Sequence, residues 1–289
     1  MKYKKWIDIN CSSLEGKTVV VTGATGGIGF ALLEQLDYLG ANVIMAIRNK
    51  SKAIKLLENV NLKKEPKIMA LDLETYDSID SFLKELNNEN INVDYFVNNA
   101  GIYNLKSRVS KHNHEIHMQV NTFSTLYLTN QIKNLYPHCK IISVNSVSSF
   151  FSKIDEENIE KYKSNSGIKQ YGATKLLSLL YTINKKDNND ILIHPGIVHT
   201  TMLLGSWPKL LKVICDPICK VLFMNSHKAS LSILYAMNNN VNYNNMVMPR
   251  GLLSCWGYPK ERPLPKRLLK MDLQKISEKI NAQIANTTK

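Results

Sequence analysis

Short runs of β-branched and other apolar residues alternate along this chain with longer stretches in which apolar positions recur at helical spacing. The short runs predict buried strands, and the stretches between them predict helices that cover the strands. The predicted strands lie at 18–22, 42–47, 67–71, 93–98, 140–144, 191–193 and 244–248. The predicted helices lie at 30–36, 51–59, 78–86, 113–135, 170–183, 227–237 and 268–284. This alternation builds βαβ units, so we expect an α/β fold with a doubly wound parallel sheet of about seven strands and helices on both faces.

The 289 residues suit one α/β domain, and we predict a single unit over residues 1–289. Residues 201–225 are apolar but broken by Pro208 and Pro217, which favours a lid over a substrate pocket. A membrane-touching patch and an ordinary packing helix are the alternatives for this segment. Residues 260–289 are predicted to form a C-terminal helical tail that lies outside the core.

The formal net charge of +13 favours anionic partners such as phosphate-bearing cofactors. No recognised nucleic-acid motif accompanies the charge, so nucleic-acid binding is not expected. The basic stretch at 260–270 is interpreted as a solvated linker, with a weak membrane-surface contact as the alternative. No apolar run reaches ~18 residues and no secretory signal is visible, so we predict a cytoplasmic chain and leave membrane association open.

Neither the cysteines nor the histidines predict a metal site. The five cysteines are odd in number and scattered, which indicates reduced thiols. A zinc motif H-E-x-x-H needs histidines four positions apart, whereas His114 and His117 are three apart and Met118 stands at the required position. We therefore predict no metal and interpret residues 112–117 as surface histidines on a helix that leads to Asn121.

A glycine-rich turn, Thr22-Gly23-Ala24-Thr25-Gly26-Gly27-Ile28-Gly29, follows the first strand and opens a helix. Glycines let the backbone approach a pyrophosphate, and a helix N-terminus offers N–H groups and a positive dipole end. The spacing G-x-x-x-G-x-G differs from the commoner G-x-G-x-x-G, but the position favours a dinucleotide site in a Rossmann-type sheet. An acidic residue after the second strand would bind the ribose of NAD, whereas this chain has Arg48, which suits a 2′-phosphate. We therefore predict NADP(H) as the preferred cofactor, with NAD(H) as the alternative.

Tyr171 and Lys175 are spaced i and i+4, so on a helix their side chains lie on one face. A nearby cation favours the phenolate and lowers the pKa of a tyrosine from its usual value near ~10. Such a phenol can exchange protons with an alcohol or a carbonyl, as general acid–base catalysis requires. A serine-rich segment, 143–149, precedes the pair.

Together these elements resemble the short-chain dehydrogenase/reductase family in its classical form. The matching motifs occur in the family's order: T-G-x-x-x-G-I-G at 22–29, N-N-A-G at 98–101, Asn121, Ser146, Tyr171 with Lys175, and P-G at 195–196. The retinol-dehydrogenase-like subgroup looks closest, on H-P-G-I-V-H-T at 194–200 and the 25-residue gap from Ser146 to Tyr171.

The resemblance implies a role for each motif residue. Tyr171 would be the general acid in reduction and the base in oxidation, and Lys175 would lower its pKa and bind the nicotinamide ribose. Ser146 would hold the substrate oxygen, and Asn121 would position a water that links Lys175 to solvent. Tyr171 is implied to contact the cofactor as well. The other implied cofactor contacts are Gly23, Thr25, Gly27, Ile28, Gly29, Arg48, Asp72, Leu73, Asn98, Ala100, Gly101, Pro195, Gly196 and Thr200.

Two departures from the family pattern leave questions open. The family usually has two adjacent serines after the fifth strand, but Asn145 takes the first position, so Ser143, Ser148 and Ser149 are alternatives to Ser146. The 20 residues from Lys175 to Pro195 are fewer than is usual in the subgroup. The helix in this interval often forms the family's dimer interface, so it is open whether this chain forms a homodimer.

The implied function is an NADP(H)-dependent oxidoreductase that interconverts a carbonyl and an alcohol on a small molecule by hydride transfer. A lipophilic substrate is indicated by the apolar residues of the predicted lid: Met202, Leu203, Leu204, Trp207, Leu210 and Leu211. The alternative is a non-catalytic NADP(H)-binding sensor or scaffold, against which the intact set of catalytic residues argues.

Overall fold

The computed structural model describes residues 2–103, 108–159, 167–198 and 223–288. Within these ranges eight strands form one sheet in the order β3-β2-β1-β4-β5-β6-β7-β8. The strands are β1 Thr18–Thr22, β2 Asn42–Ile47, β3 Lys67–Ala70, β4 Tyr95–Asn98, β5 Lys140–Val144, β6 Asp190–Ile193, β7 Asn245–Pro249 and β8 Pro259–Pro263. Neighbours from β3 to β7 pair in parallel, and β8 pairs antiparallel with β7. The seven predicted strands are confirmed.

Strand β8 lies where the sequence predicts a solvated basic linker and a helical tail, so that prediction is wrong for 260–263. The five residues, Pro-Lys-Glu-Arg-Pro, lack the apolar alternation of a strand, and none of them is buried. An edge strand tolerates proline and charge because one side of its backbone has no neighbouring strand to satisfy. Pairing of Val247 with Glu261 sets the register, so this strand is defined by a tertiary contact that the local pattern does not encode.

Helices connect the strands and cover both faces of the sheet. Their bounds are α1 Lys2–Asn10, α2 Gly27–Tyr38, α3 Lys50–Leu57, α4 Tyr76–Asn88, α5 Thr125–Leu135, α6 Gly167–Asn184, α7 Leu231–Asn238 and α8 Leu273–Thr287. Single helical turns form at Ile116–Met118, Ser148–Phe151 and Ser226–Ala229, and a π-helical segment spans Gln119–Ser124. The predicted helix at 113–135 therefore begins at Ile116, and α1 has no predicted counterpart.

Two apolar layers hold the sheet between its helices. On one face, α2 packs on β2, α7 packs on β5, β6 and β7, and α1 packs on α7, through side chains such as Ile7, Leu32 and Leu234. On the other face, α4 and α5 pack on β4 and β5 through Phe82 and Ile132. The predicted arrangement of helices on both faces is confirmed. Among the described helices, none has both the length and the apolar character needed to cross a bilayer.

Helix α8 belongs to the core, contrary to the prediction that the C-terminal helix lies outside it. Ile276 and Ile280 are fully buried in the cluster that includes Leu179 of α6. The Tyr181 hydroxyl donates a hydrogen bond of 2.8 Å to Asn281 Oδ1, which ties the two helices at their polar rim. The isoleucines recur every four residues, so the apolar stripe is visible in the sequence, but the lysines around it favoured an exposed helix.

Several predictions fall on residues 199–222, which lie outside the described residues. They concern the lid over 201–225, of which only 223–225 are described, and the pair Cys215 and Cys219. Among the described cysteines, Cys11, Cys139 and Cys255 are free thiols, in agreement with the predicted reduced state.

Replacing Ile280 with alanine is expected to lower the free energy of unfolding by about 2–5 kcal/mol, because it leaves a cavity between α8 and α6. Denaturant unfolding of the variant and the wild type measures the loss. The exposed Glu278→Ala on the same helix is the control and should change stability by no more than about 0.5 kcal/mol. Equal effects of the two substitutions would show that α8 does not pack as described.

Candidate active site

The sequence-predicted site residues converge on the carboxyl edge of the parallel sheet. The glycine-rich turn leaves the end of β1, residues 98–101 leave β4, Ser146 follows β5, and Pro195 follows β6. Parallel strands present their carboxyl ends at one edge, and ligands of open α/β sheets bind there. The topology alone therefore gathers segments that are far apart in sequence.

The glycine-rich turn is packed too tightly for side chains at two positions. Gly23 has φ +64°, and a Cβ there would lie 2.9 Å from Ala100 Cα. A Cβ on Gly29 would lie 2.6 Å from the Gly23 carbonyl oxygen. Among the described residues no side chain caps the start of α2, so its first N–H groups remain available to an anion. The turn therefore fits the phosphates of a dinucleotide.

The remaining residues of the turn lie at its rim. Thr25 is half-buried, and Gly27 is exposed at the first position of α2. Ile28 packs on Val198 and Met224, which follow β6 and the undescribed segment respectively. The turn thus contacts the chain on both sides of residues 199–222.

A buried hydroxyl that the sequence analysis missed fixes the turn against β4. Thr22 Oγ1 donates to the Val97 carbonyl at 3.2 Å and accepts from the N–H groups of Asn99 and Ala100, both at 3.0 Å. The Asn99 amide donates back to the carbonyls of Thr22 and Gly23 at 2.9 and 3.2 Å. Both residues belong to the T-G and N-N-A-G motifs, so the signal was present, but the motifs do not reveal that they bind each other.

Asn98 has a different position from the one expected of a cofactor contact. Its side chain is buried and donates to Thr129 Oγ1 at 2.8 Å and to Ser143 Oγ at 3.3 Å. The amide therefore joins β4 to α5 and β5. Ala100 and Gly101, half-buried at the same strand end, lie against the turn and against Asn121 respectively.

Arg48 is exposed directly after β2, where the sequence predicted a contact with the cofactor's 2′-phosphate. The nearby Glu74 accepts two hydrogen bonds from the Arg108 guanidinium, at 2.6 and 2.5 Å. Arg108 is the main reason that the pKa of Glu74 is lowered, and Arg48 makes a smaller contribution. Glu74 is thus an ion-pair partner of Arg108, which leaves the local charge favourable to an anion.

Asp72 and Leu73 lie after β3 as predicted. Asp72 is half-buried and accepts a hydrogen bond from the Glu74 N–H at 3.0 Å, while its own N–H donates to Ser78 Oγ at 2.9 Å. Leu73 is buried. These bonds shape the turn that borders the adenosine side of the predicted site.

Tyr171 lies on α6, with the Ser146 side chain placed to act on its hydroxyl. The ring of Tyr103 stands edge-on to the Tyr171 ring, with centroids 5.4 Å apart. Burial, helped by Tyr103, raises the pKa of Tyr171 to about 12, against a smaller opposing effect of the Ser146 side chain. This direction is opposite to the lowering predicted from the sequence, because burial disfavours the charged phenolate.

Lys175 lies one helical turn from Tyr171 and is also buried. Its ammonium group donates 2.8 Å to the Val144 carbonyl and lies 5.8 Å from the centroid of the Tyr171 ring. Burial lowers the pKa of Lys175 to about 8. The predicted proximity of the two side chains is present, whereas the predicted pKa shift of the tyrosine is not.

Asn145 holds the catalytic segment in place, which explains the departure from the family's paired serines. Its Oδ1 accepts from the Ser146 N–H at 2.7 Å, and its Nδ2 donates to the Lys175 carbonyl at 2.9 Å. Ser143 and Ser149 use their hydroxyls in bonds to Asn98 and to the Ser146 carbonyl. Of these serines, Ser146 is the one whose side chain acts on the Tyr171 hydroxyl, which supports its selection over the alternatives.

Asn121 lies in the π-helical segment, buried beside Gly101 and Lys175. Its side chain exchanges two hydrogen bonds with the backbone of Ile102, at 2.8 and 2.9 Å. Its backbone carbonyl accepts from Ser178 Oγ on α6 at 2.9 Å. A π-helical turn is a frequent feature of functional sites, and here it joins the end of β4 to the helix of Tyr171.

The P-G motif follows β6 in a close turn. Gly196 has φ +90°, and a Cβ there would lie 2.8 Å from the Cys255 carbonyl oxygen. Pro195 is buried beside it. Thr200, the last predicted cofactor contact, lies outside the described residues.

The prediction of surface histidines at 112–117 is wrong for two residues, because His114 and His117 are buried. Glu115 accepts hydrogen bonds from its neighbours' backbone and lies 2.6 Å from His117 Nδ1. Gln170, next to Tyr171, donates to the same carboxylate at 3.0 Å. The polar residues form an internal network that periodicity could not reveal, and the described residues contain no cluster that could hold a metal ion.

A family model described as short chain dehydrogenase matches residues 17–207. The chain belongs to the short-chain dehydrogenase family. It is therefore an oxidoreductase of the class that acts on CH–OH and C=O groups, and the family binds NAD or NADP. The site described above is the candidate active site of this dehydrogenase.

Two relatives illustrate the similarity. A WW domain-containing oxidoreductase of Drosophila melanogaster is 27% identical, over 94% of this chain and 70% of the relative. Retinol dehydrogenase 14 of Mus musculus is 28% identical, over 65% of this chain and 63% of the relative. The second match confirms the likeness to the retinol-dehydrogenase-like subgroup.

The fold has a similar counterpart among solved structures. A short chain dehydrogenase from Shigella flexneri complexed with NADP has a TM-score of 0.61 at 19% identity, over 80% of this chain and 94% of that chain. The likeness confirms the Rossmann-type fold.

Replacing Thr22 with valine keeps the side-chain shape but leaves the Asn99 and Ala100 N–H groups without their acceptor. We expect a loss of about 1–3 kcal/mol in the free energy of unfolding, because these groups stay desolvated. Denaturant unfolding measures it, with Thr18→Val in the same strand as the control. Matched stabilities of the two variants would contradict the role given to the Thr22 hydroxyl.

Proposed function

We propose that this dehydrogenase interconverts a carbonyl and an alcohol with NADP(H), and that Tyr171 carries the proton. The observation that supports it most is the placement of the Ser146 side chain where it acts on the Tyr171 hydroxyl, with the Lys175 ammonium group one helical turn away. Two neighbouring hydroxyls can both reach one substrate oxygen. This geometry suits reduction of a carbonyl and, in reverse, oxidation of an alcohol.

In the direction of reduction, the phenol of Tyr171 donates its proton to the carbonyl oxygen as that oxygen gains negative charge. The Ser146 hydroxyl donates a hydrogen bond to the same oxygen and polarises it. The buried Lys175 ammonium group stabilises the phenolate that remains on Tyr171. A pKa of about 12 keeps Tyr171 protonated at neutral pH, which favours its role as the acid.

The cofactor would lie along the carboxyl edge of the sheet, where it supplies or accepts the hydride. The glycine-rich turn with Gly23, Thr25, Gly27, Ile28 and Gly29 would hold its phosphates. The adenosine side would contact Arg48, Asp72 and Leu73. Ala100, Gly101, Lys175, Pro195 and Gly196 would line the nicotinamide side, and Asn98 would act from beneath by fixing the strand end.

The preference for NADP(H) rests on Arg48. Its exposed guanidinium follows β2 at the place where the adenosine ribose would lie, and guanidinium groups bind phosphate through paired hydrogen bonds. The solved relative that is complexed with NADP is in accord with this choice.

A lipophilic small molecule is the proposed substrate. Phe151 is 80% exposed and Ile168 is 62% exposed, and Ile168 lies one helical turn before Tyr171. Apolar side chains displayed beside buried polar chemistry are typical of sites for apolar ligands. The apolar composition of 201–211 and the likeness to a retinol dehydrogenase support the same class.

We further propose that α6 does not mediate a homodimer. Its outer side is covered by α8 of the same chain, through the buried Ile276 and Ile280. Size-exclusion chromatography with light scattering should give the mass of one chain, whereas a dimer in which cross-linking joins α6 of both copies would contradict the proposal.

Tyr171→Phe should lower kcat for reduction of a lipophilic aldehyde by about 10²–10⁴-fold, because the proton donor is removed while the ring is kept. NADPH fluorescence titration should give an unchanged Kd within about threefold. Tyr103→Phe is the matched control and should retain most of the activity. Unchanged kcat in Tyr171→Phe would contradict the mechanism, and tight NADPH binding without turnover on any carbonyl in the wild type would favour the sensor or scaffold.

Arg48→Ala should raise the Kd for NADPH about tenfold or more and leave the Kd for NADH nearly unchanged, since the guanidinium would bind only the 2′-phosphate. Isothermal titration with both cofactors measures the two effects. The exposed Lys50→Ala nearby is the control for loss of a general positive charge. If the wild type binds NADH more tightly than NADPH, the proposed preference is wrong.

A further inference from the structure

The tip of the β7–β8 hairpin, residues 250–258, displays large apolar side chains to solvent. Leu252 is 75% exposed, Leu253 is 73% exposed and Trp256 is 41% exposed. Isolated exposed leucines are common on proteins, but two successive leucines and a tryptophan on one short loop are an apolar patch.

The tip is held in shape by its own backbone. The Gly251 N–H donates to the Trp256 carbonyl at 2.7 Å, and the Arg250 N–H donates to the Tyr258 carbonyl at 3.0 Å. Leu253 has φ +50°, a left-handed conformation that is uncommon for leucine. The buried Ser254 hydroxyl contacts Met248 Sδ at 3.0 Å and anchors the loop on β7. The leucines therefore project from an ordered turn.

Positive charge surrounds the patch. Arg250 and Lys260 are exposed on either side of the tip. Arg250 and Lys228 both lie over the Tyr258 ring, 5.7 and 5.2 Å from its centroid. No acidic residue occurs from 250 to 260. The acidic residue that follows, Glu261, binds the Asn242 N–H and the Asn245 side chain, toward the start of β7.

The tip lies beside the candidate active site. The Cys255 carbonyl accepts a hydrogen bond from the Ile197 N–H at 3.3 Å and touches Gly196 of the P-G motif. The patch therefore occupies the same edge of the sheet as Tyr171.

We propose that the β7–β8 hairpin tip docks on a bilayer that contains anionic lipid. The leucines would enter the acyl region, Trp256 would lie at the interface, and Arg250 and Lys260 would contact the headgroups. The convex shape favours a membrane over a protein partner, because a projecting turn offers no groove for a second surface. Docking in this orientation places the active-site edge toward the lipid and does not depend on which reaction the site performs.

The test is sedimentation of the purified full chain with vesicles of phosphatidylcholine alone and with 30% phosphatidylserine. We expect the wild type to bind the anionic vesicles at least tenfold more tightly than the neutral ones at low salt. Leu252→Asn/Leu253→Asn should weaken that binding at least tenfold, and asparagine tolerates the left-handed backbone at 253, so the fold should be kept. Leu135→Asn, on a 41% exposed leucine at the end of α5 and the opposite edge of the sheet, should bind like the wild type.

The variant Lys260→Glu measures the electrostatic contribution to vesicle binding. It should lower binding to anionic vesicles while leaving binding to neutral vesicles unchanged. Equal vesicle binding by the wild type and the double asparagine variant overturns the proposal, as does a wild type that stays in the supernatant with both vesicles. The proposal would also be overturned if the wild type forms a dimer without vesicles and the double asparagine variant is a monomer, because the patch would then serve self-association.

Discussion

Burial of the Lys175 ammonium group constrains the arrangement around it. The charge is held by the Val144 carbonyl at the end of β5, so the helix that carries it must dock on that strand end. Asn145 completes the attachment through the Lys175 backbone, and Asn121 and Gly101 close the space on the other side. A buried cation that rests on neutral partners is costly, and its pKa falls to about 8 as a result. The cost of burying the cation is offset when a phenolate develops on Tyr171, because the ammonium charge then stabilises it.

The same burial shifts the pKa of Tyr171 in the opposite direction from that of Lys175. Desolvation that lowers the pKa of the lysine raises the pKa of the phenol, since in each case the neutral form is favoured. A spacing of i and i+4 correctly predicts that the side chains of Tyr171 and Lys175 are close. It gives no information about how deeply they are buried, and burial decides the direction of the pKa shift. The pair is therefore better described as a protonated donor with an adjacent cation than as a ready phenolate.

The strands, the order of the motifs and most site residues could be predicted because they follow local rules. Val19 to Val21 are β-branched in a buried strand, and Gly23 and Gly29 stand where a Cβ would collide. What could not be predicted depends on partners distant in sequence. Strand β8 needs β7, and the Thr22 hydroxyl needs Asn99 and Ala100. The buried His117 pairs with Glu115, which Gln170 also binds. The position of the exposed leucines of the hairpin tip beside the active-site edge likewise depends on the fold and could not be predicted from the local sequence.

The most direct test of this account is the ionisation of Tyr171 in the folded protein. Tyrosine labelled with ¹³C at Cζ gives one signal per residue, and comparison with Tyr171→Phe identifies the signal of Tyr171. This signal is expected to show no titration up to pH 10, in keeping with a pKa of about 12. A midpoint between pH 6 and 8 would contradict it, because Tyr171 would then be a phenolate stabilised by Lys175 and not a buried proton donor.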